Sequence, residues 1–236
     1  MGLLPEPDRV NGNDKQISRV KRSKESARIS YNQMSRCYDL ISGTSERQFC
    51  GEGLQMLRAS SGETILEIGF GTGHSLLTLA KSVGALGHIY GIDLSEGMFA
   101  IARSRIERNE LMKIVDLRCG DATELPYGTE TLDAIFSSFT LELFDTIEIP
   151  SVLHECWRVL KNQGRICIVS LSRSGKQNPM VRLYEWAHQK LPNIIDCRPI
   201  FVRHALIAVG FEIKQFTCRS MWGLPVEIVL GSKLSK

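Results

Sequence analysis

The chain has 236 residues, 43% of them hydrophobic and 23% charged, with a formal net charge of +3. That length admits one large α/β domain with additions and excludes two full domains with a linker, the composition excludes a disordered chain, and so slight a charge gives nucleic-acid binding no support by itself. No apolar run approaches the ~18 residues that cross a bilayer, and the opening residues lack a hydrophobic signal core, so cytoplasmic residence is expected.

Residues 1–22 are rich in Pro, Gly, Asn, Asp and Lys without any period, which predicts a flexible tail. Lys15, Arg19, Lys21, Arg22, Lys24 and Arg28 form a basic run opposed only by Glu25. It reads either as a solvated arm or as a surface for peripheral contact with an anionic membrane face. From Ser23 to Leu57 the pattern turns helical, with a break at "ISGTSE" (41–46), where Thr44 or Ser45 can cap a second helix. Residues 23–60 are thus a helical preface.

An alternation follows over 61–172. "TILEIG" (64–69), "HIYGID" (88–93), "IVDLRC" (114–119), "LDAIFSS" (132–138) and "RICIVSL" (165–171) are short apolar runs suited to buried parallel strands. Between them lie helical stretches: "HSLLTLAKSV", "SEGMFAIARSRIERN" with Ser95 as a cap, and "IPSVLHECWRVLKNQG" ending at Gly164. Strands alternating with helices predict an α/β fold with a doubly wound, mostly parallel sheet. Residues 173–210 form a helical insertion, "NPMVRLYEWAHQKL" then "PIFVRHALIAVG". Two runs in 211–236, "FEIKQFTC" and "PVEIVLGS", are joined near Gly223 and predict a closing antiparallel hairpin.

The seven cysteines are scattered and never spaced C-x-x-C, and the five histidines form no ligand pair, so reduced thiols and no bound metal are expected.

The chemistry lies in "LEIGFGTGHS" (66–75), where a strand ends in glycines and turns into a helix, placing bare backbone at the carboxyl edge of the sheet. A dinucleotide site wants G-x-G-x-x-G, and counting from Gly69 and Gly71 the last glycine falls on His74. The run is instead Glu67-x-Gly69-x-Gly71-x-Gly73.

This pattern resembles the first motif, E/D-x-G-x-G-x-G, of the class I S-adenosylmethionine-dependent methyltransferases. The resemblance spans residues 66–171 and implies S-adenosylmethionine as cofactor and a seven-stranded sheet of order 3-2-1-4-5-7-6 with one antiparallel strand at the far edge. It implies that Asp93, ending the second strand, accepts hydrogen bonds from the ribose hydroxyls, with Leu94 beside it. "GDATELPY" (120–127) resembles the adenine-binding segment, with Asp121 receiving the exocyclic amine and Ala122 offering its backbone N–H. Glu67, Gly69, Gly71, Gly73 and Ser138 complete the implied cofactor set. "RVLKNQGRICI" departs from the family by Gln163 where a second glycine is usual.

"YNQMSRCYDLIS" in the preface resembles the opening of quinone-biosynthesis C-methyltransferases and bacterial phospholipid N-methyltransferases, which places Tyr38 as a lid residue. Tyr31 and Tyr38 share a helix face, and core packing explains them as well. "SSFTLELFD" (137–145) lacks the N-P-P-Y or D-P-P-Y of nucleic-acid amino-methylating enzymes, so a small-molecule acceptor and no nucleic acid are expected. Tyr38, Glu142 and His188 are the catalytic candidates. His204 joins His188 as a possible lining of the acceptor side, and His154 is read as structural. Tyr184, Trp186, Phe201 and Trp222 suit an apolar or aromatic, quinol-like acceptor, or simply pack the core. A phospholipid amine methyltransferase and a non-catalytic cofactor-binding regulatory subunit are the alternatives, and a nicotinamide oxidoreductase is a weaker third.

Overall fold

The computed structural model describes residues 24–35, 43–173, 184 and 197–234. The tail expected at 1–22, Tyr38, Trp186, His188 and most of the insertion expected at 173–210 lie outside the described residues.

The described elements run α1 (Lys24–Met34), α2 (Gly43–Leu57), β1 (Thr64–Ile68), α3 (His74–Val83), β2 (His88–Asp93), α4 (Glu96–Arg108), β3 (Val115–Cys119) and β4 (Leu132–Ser138). They continue through a 3-10 turn (Leu141–Leu143), α5 (Ile149–Val159), β5 (Leu160–Leu171), α6 (Val202–Val209), β6 (Glu212–Met221) and β7 (Leu224–Ser232). One seven-stranded sheet takes the order β3-β2-β1-β4-β5-β7-β6. β1 to β5 pair in parallel, and β7 runs antiparallel between β5 and β6. This is the implied order.

Alternation along the strands sends side chains to two cores. Ile65, Ile89, Ala134 and Phe136 meet Phe49 and Leu57 of α2, Leu76, Leu79 and Val83 of α3, and Ala102 and Ile106 of α4. Leu66, Ile68 and Ile135 meet Val152, Leu153 and Cys156 of α5 and Leu206 of α6 on the other face. Each fully buried aliphatic side chain contributes roughly 1.5–3 kcal/mol. The helices on both faces therefore fix the strands whose carboxyl ends form the site.

α2 lies close on the sheet because Gly53 has no side chain: a Cβ there would stand 2.5 Å from Val169 Cγ2. Its last carbonyls are capped by Arg165, whose Nε donates to Leu57 O at 2.7 Å while both terminal nitrogens grip Glu63 at 2.8 Å.

Three boundaries differ from expectation. α5 stops at Val159 rather than Gly164, because the segment before β4 captures its end: Glu130 N–H donates to Arg158 O and Thr131 N–H to Val159 O. β5 then begins at once, and Gln163 sits within it at φ 64°, the left-handed conformation that the usual glycine would take without strain. α2 begins at Gly43, so Thr44 and Ser45 fall inside its first turn. The hairpin strands run up to a two-residue turn, Trp222 (φ 52°) and Gly223 (φ 83°), the positive pair of a type I′ turn.

β7 ends beside the start of β5. Lys233 N–H donates to Gly164 O at 2.9 Å, and its buried ammonium donates to Leu160 O at 2.7 Å and Glu130 at 3.1 Å. Among the described residues no helix is long and apolar enough to cross a membrane.

Candidate functional site

A cleft opens at the carboxyl ends of β1, β2 and β4. Gly69, Gly71, Asp93, Leu94, Asp121, Ala122 and Ser138 all line it; Glu67 and Gly73 do not.

The three glycines do different work. Gly69 (φ 71°) continues the pairing of β1, its N–H donating to Ile92 O at 2.8 Å, and a Cβ there would lie 2.1 Å from Thr140 Oγ1. Gly73 (φ 84°) starts α3 and faces α4, where a Cβ would lie 3.0 Å from Ala102 Cβ. It packs closely against α4 and does not line the cleft. At Gly71 (φ 51°) a Cβ would meet nothing within 4 Å, so bare backbone looks onto open cleft.

Asp93 ties this loop to the next. Its Oδ2 accepts the Gly71 N–H and its Oδ1 the Ser95 N–H, both at 2.9 Å. Burial pushes its pKa up, and the backbone donors pull it back only in part. The carboxylate keeps lone-pair capacity for a further donor.

Asp121 follows β3, the neighbour of β2 in the sheet. Its Oδ1 accepts the Thr123 N–H at 2.9 Å, and its Oδ2 receives the Lys24 ammonium at 2.5 Å. Burial opposes its charge, but Lys24 and Thr123 outweigh burial and hold its pKa below the usual range. The same ammonium reaches Glu148 at 2.7 Å, so α1 spans the mouth of the cleft between the segment after β3 and the start of α5.

α1 is also anchored at its other end. Asn32 Oδ1 accepts from Ser95 Oγ at 2.7 Å and Gly97 N–H at 2.9 Å, and its amide donates to Glu96 at 2.9 Å. Ser95 Oγ in turn caps α4 by accepting the Met98 N–H. Arg28 bridges Glu25 and Glu96. Lys24 and Arg28, the described members of the basic run, therefore face acidic partners of the same chain. Charge counting along the sequence missed these contacts, as it missed Glu148 and Asn32, because their partners are distant in sequence.

Glu67 is buried on the α2 and α3 side of β1, and its Oε2 has no hydrogen-bond partner among the described residues. Burial drives its pKa well up; a hydrogen bond from Ser75 opposes this and the nearby Asp93 charge adds to it. Glu142, in the 3-10 turn after β4, is fully buried and does not line the cleft. Its Oε1 accepts the Leu171 N–H at 3.1 Å, and burial pushes its pKa to about 7. Tyr31 of α1 lines the cleft. His74 is exposed, with Nε2 3.4 Å from Arg47. His154 is exposed on α5, and His204 on α6 stacks edge-on against Phe201, away from the cleft.

Comparison with known proteins agrees with this geometry. Residues 65–164 match the family model described as a methyltransferase domain. The demethylmenaquinone methyltransferase of Lactobacillus johnsonii is 32% identical over 164 residues, covering 69% of this chain and 64% of that protein. The chain thus spans just under two thirds of that relative's length. Among solved structures, the cyclase SpnF superposes with a TM-score of 0.73 at 17% identity, covering 94% of this chain and 100% of that one. A SAM-dependent methyltransferase from Aquifex aeolicus superposes with a TM-score of 0.63 at 20% identity, covering 85% and 98%. At those identities the superpositions speak for the fold.

Proposed function

We propose that the chain, whose residues 65–164 match a methyltransferase domain and which is similar to a demethylmenaquinone methyltransferase, is a class I S-adenosylmethionine-dependent enzyme that transfers one methyl group to a small apolar or aromatic acceptor of the quinol type.

One observation carries this: bare backbone at Gly71 opens onto the cleft directly beside the Asp93 carboxylate. The cleft fits the cofactor. Asp93 has lone-pair capacity for the ribose hydroxyls and Asp121 and Ala122 line the cleft for the adenine edge; Glu67, which does not line it, offers the methionyl ammonium an Oε2 with no hydrogen-bond partner among the described residues. α1 acts as the lid, with Lys24 its latch and Tyr31 its inner face.

When bound, S-adenosylmethionine supplies a methyl carbon that is already electrophilic. The chain then has to align an acceptor and keep water out, effects worth ~7–11 kcal/mol in the best cases. Similarity to demethylmenaquinone methyltransferase supports a quinol-like acceptor.

Calorimetric titration with S-adenosylmethionine, S-adenosylhomocysteine and NADH tests the cofactor. Micromolar binding of both sulfur ligands and none of NADH is expected; binding of NADH alone overturns the proposal. Methyl transfer from labelled cofactor to a panel of quinols, phenols, amines and phospholipids then tests the acceptor, and label in amines or phospholipids but not quinols refutes the quinol assignment.

A further inference from the structure

Resting on the cofactor assignment proposed above, we infer that Ser75 and Cys50 are positioning residues that hold Glu67 ready for the ammonium of the cofactor's amino acid end.

Glu67 is 2% exposed, and a buried carboxyl with one unpartnered oxygen is costly unless something arriving later satisfies it. Its neighbour Asp93 is a second carboxylate, which makes the spot a place for a cation. Ser75, in the first turn of α3 and 7% exposed, hydrogen-bonds to Glu67. Ser75 Oγ also lies 2.8 Å from Cys50 Sγ on α2.

A hydroxyl has one proton to give. If Ser75 gives it to the Glu67 carboxylate, the Cys50 thiol must donate to Ser75, and the chain of donors runs from Cys50 through Ser75 to Glu67. The Cys50 thiol can supply that proton, because burial pushes its pKa up to about 11 and keeps it protonated. Ser75 thereby fixes one carboxylate oxygen and leaves Oε2 available. Because Cys50 belongs to α2, the preface helix is connected to the glycine loop through this row of side chains and not only through apolar packing.

The test compares two probes, S-adenosylhomocysteine and 5′-methylthioadenosine, which lacks the amino acid end. In Ser75→Ala, affinity for S-adenosylhomocysteine is expected to fall about tenfold, the scale of one hydrogen bond to a charged group. Affinity for methylthioadenosine is expected to stay within about twofold. Cys50→Ala should show a smaller loss with the same ligand pattern, and Cys50→Ser, which keeps a donor, should restore most of it. Equal losses for both ligands mean a merely structural role and overturn the inference, as does no loss for either. Failure of the unaltered protein to bind either probe removes the cofactor assignment itself, which separates the two failures. Cys50→Ala and Cys50→Ser carry the comparison if Ser75→Ala does not fold.

Discussion

Asp93 accepts the backbone N–H of Gly71 at 2.9 Å, so the carboxylate that ends β2 also sets the shape of the loop that ends β1. Asp93→Ala should weaken S-adenosylhomocysteine binding by about 1.5–3 kcal/mol, the cost of losing charge-assisted hydrogen bonds. Asp93→Asn, which keeps one acceptor oxygen, should lose less. Calorimetry decides, and unchanged affinity in Asp93→Ala would remove Asp93 from the site.

Gly71 and Gly73 should respond to alanine in opposite ways. At both, positive φ strains an L-residue by about 1–2 kcal/mol. In Gly71→Ala the new methyl projects into the cleft, and S-adenosylhomocysteine affinity should fall at least about tenfold, the direct steric cost of overfilling a site. In Gly73→Ala the methyl presses on Ala102 instead, so the melting temperature should drop further while the folded protein keeps its affinity to about twofold. A Gly73→Ala protein of full stability and poor affinity would contradict this division.

Lys24 joins Asp121 and Glu148 across the cleft mouth with a side chain 41% exposed. Exposed ion pairs contribute only ~0.2–1 kcal/mol, so Lys24→Met should leave thermal stability nearly unchanged. Its effect should be kinetic: release of S-adenosylhomocysteine about two- to fivefold faster in stopped flow, with about 0.5 M salt accelerating the unaltered protein and not the variant. Identical release rates would deny α1 a latching part.

Glu142 is fully buried with its pKa pushed to about 7 from an ordinary 4.5. The folded state holds the proton more tightly than the unfolded chain. Its contribution is therefore fully present below about pH 4.5 and is lost as pH rises through about 7. Glu142→Gln should be close to the unaltered protein in stability near pH 5 and more stable by about 2–3 kcal/mol near pH 8. Urea titrations at the two values measure the difference; a gap that does not widen with pH would show that Glu142 does not carry this proton.

The strand-and-helix alternation and the glycine loop were legible because both are written locally: period, β-branched runs, and a bare turn beside a cap residue such as Ser95. Asp93 and Asp121, singled out through the family resemblance, both line the cleft. The packing of Gly73 was not legible, because a motif does not say which neighbour each glycine faces, and only the approach of Ala102 reveals it. The end of α5 was misplaced because Val159 is claimed by Thr131, a pairing that no local window contains. Lys24 looked like one more charge in a basic run, since Asp121 lies 97 residues further on. The Glu67, Ser75 and Cys50 row escaped for the same reason: three ordinary polar positions become one unit only when β1, α3 and α2 pack together.

The anchoring of Lys233 beside Gly164 bears on how the protein can be handled. β7 delivers the backbone to the amino-end edge of the parallel strands, the side away from the cleft, whereas α1 enters at the cleft mouth. A fluorophore, bead or surface tether attached just beyond Ser232 leaves ligand traffic unhindered, while one attached at Lys24 itself stands in its path.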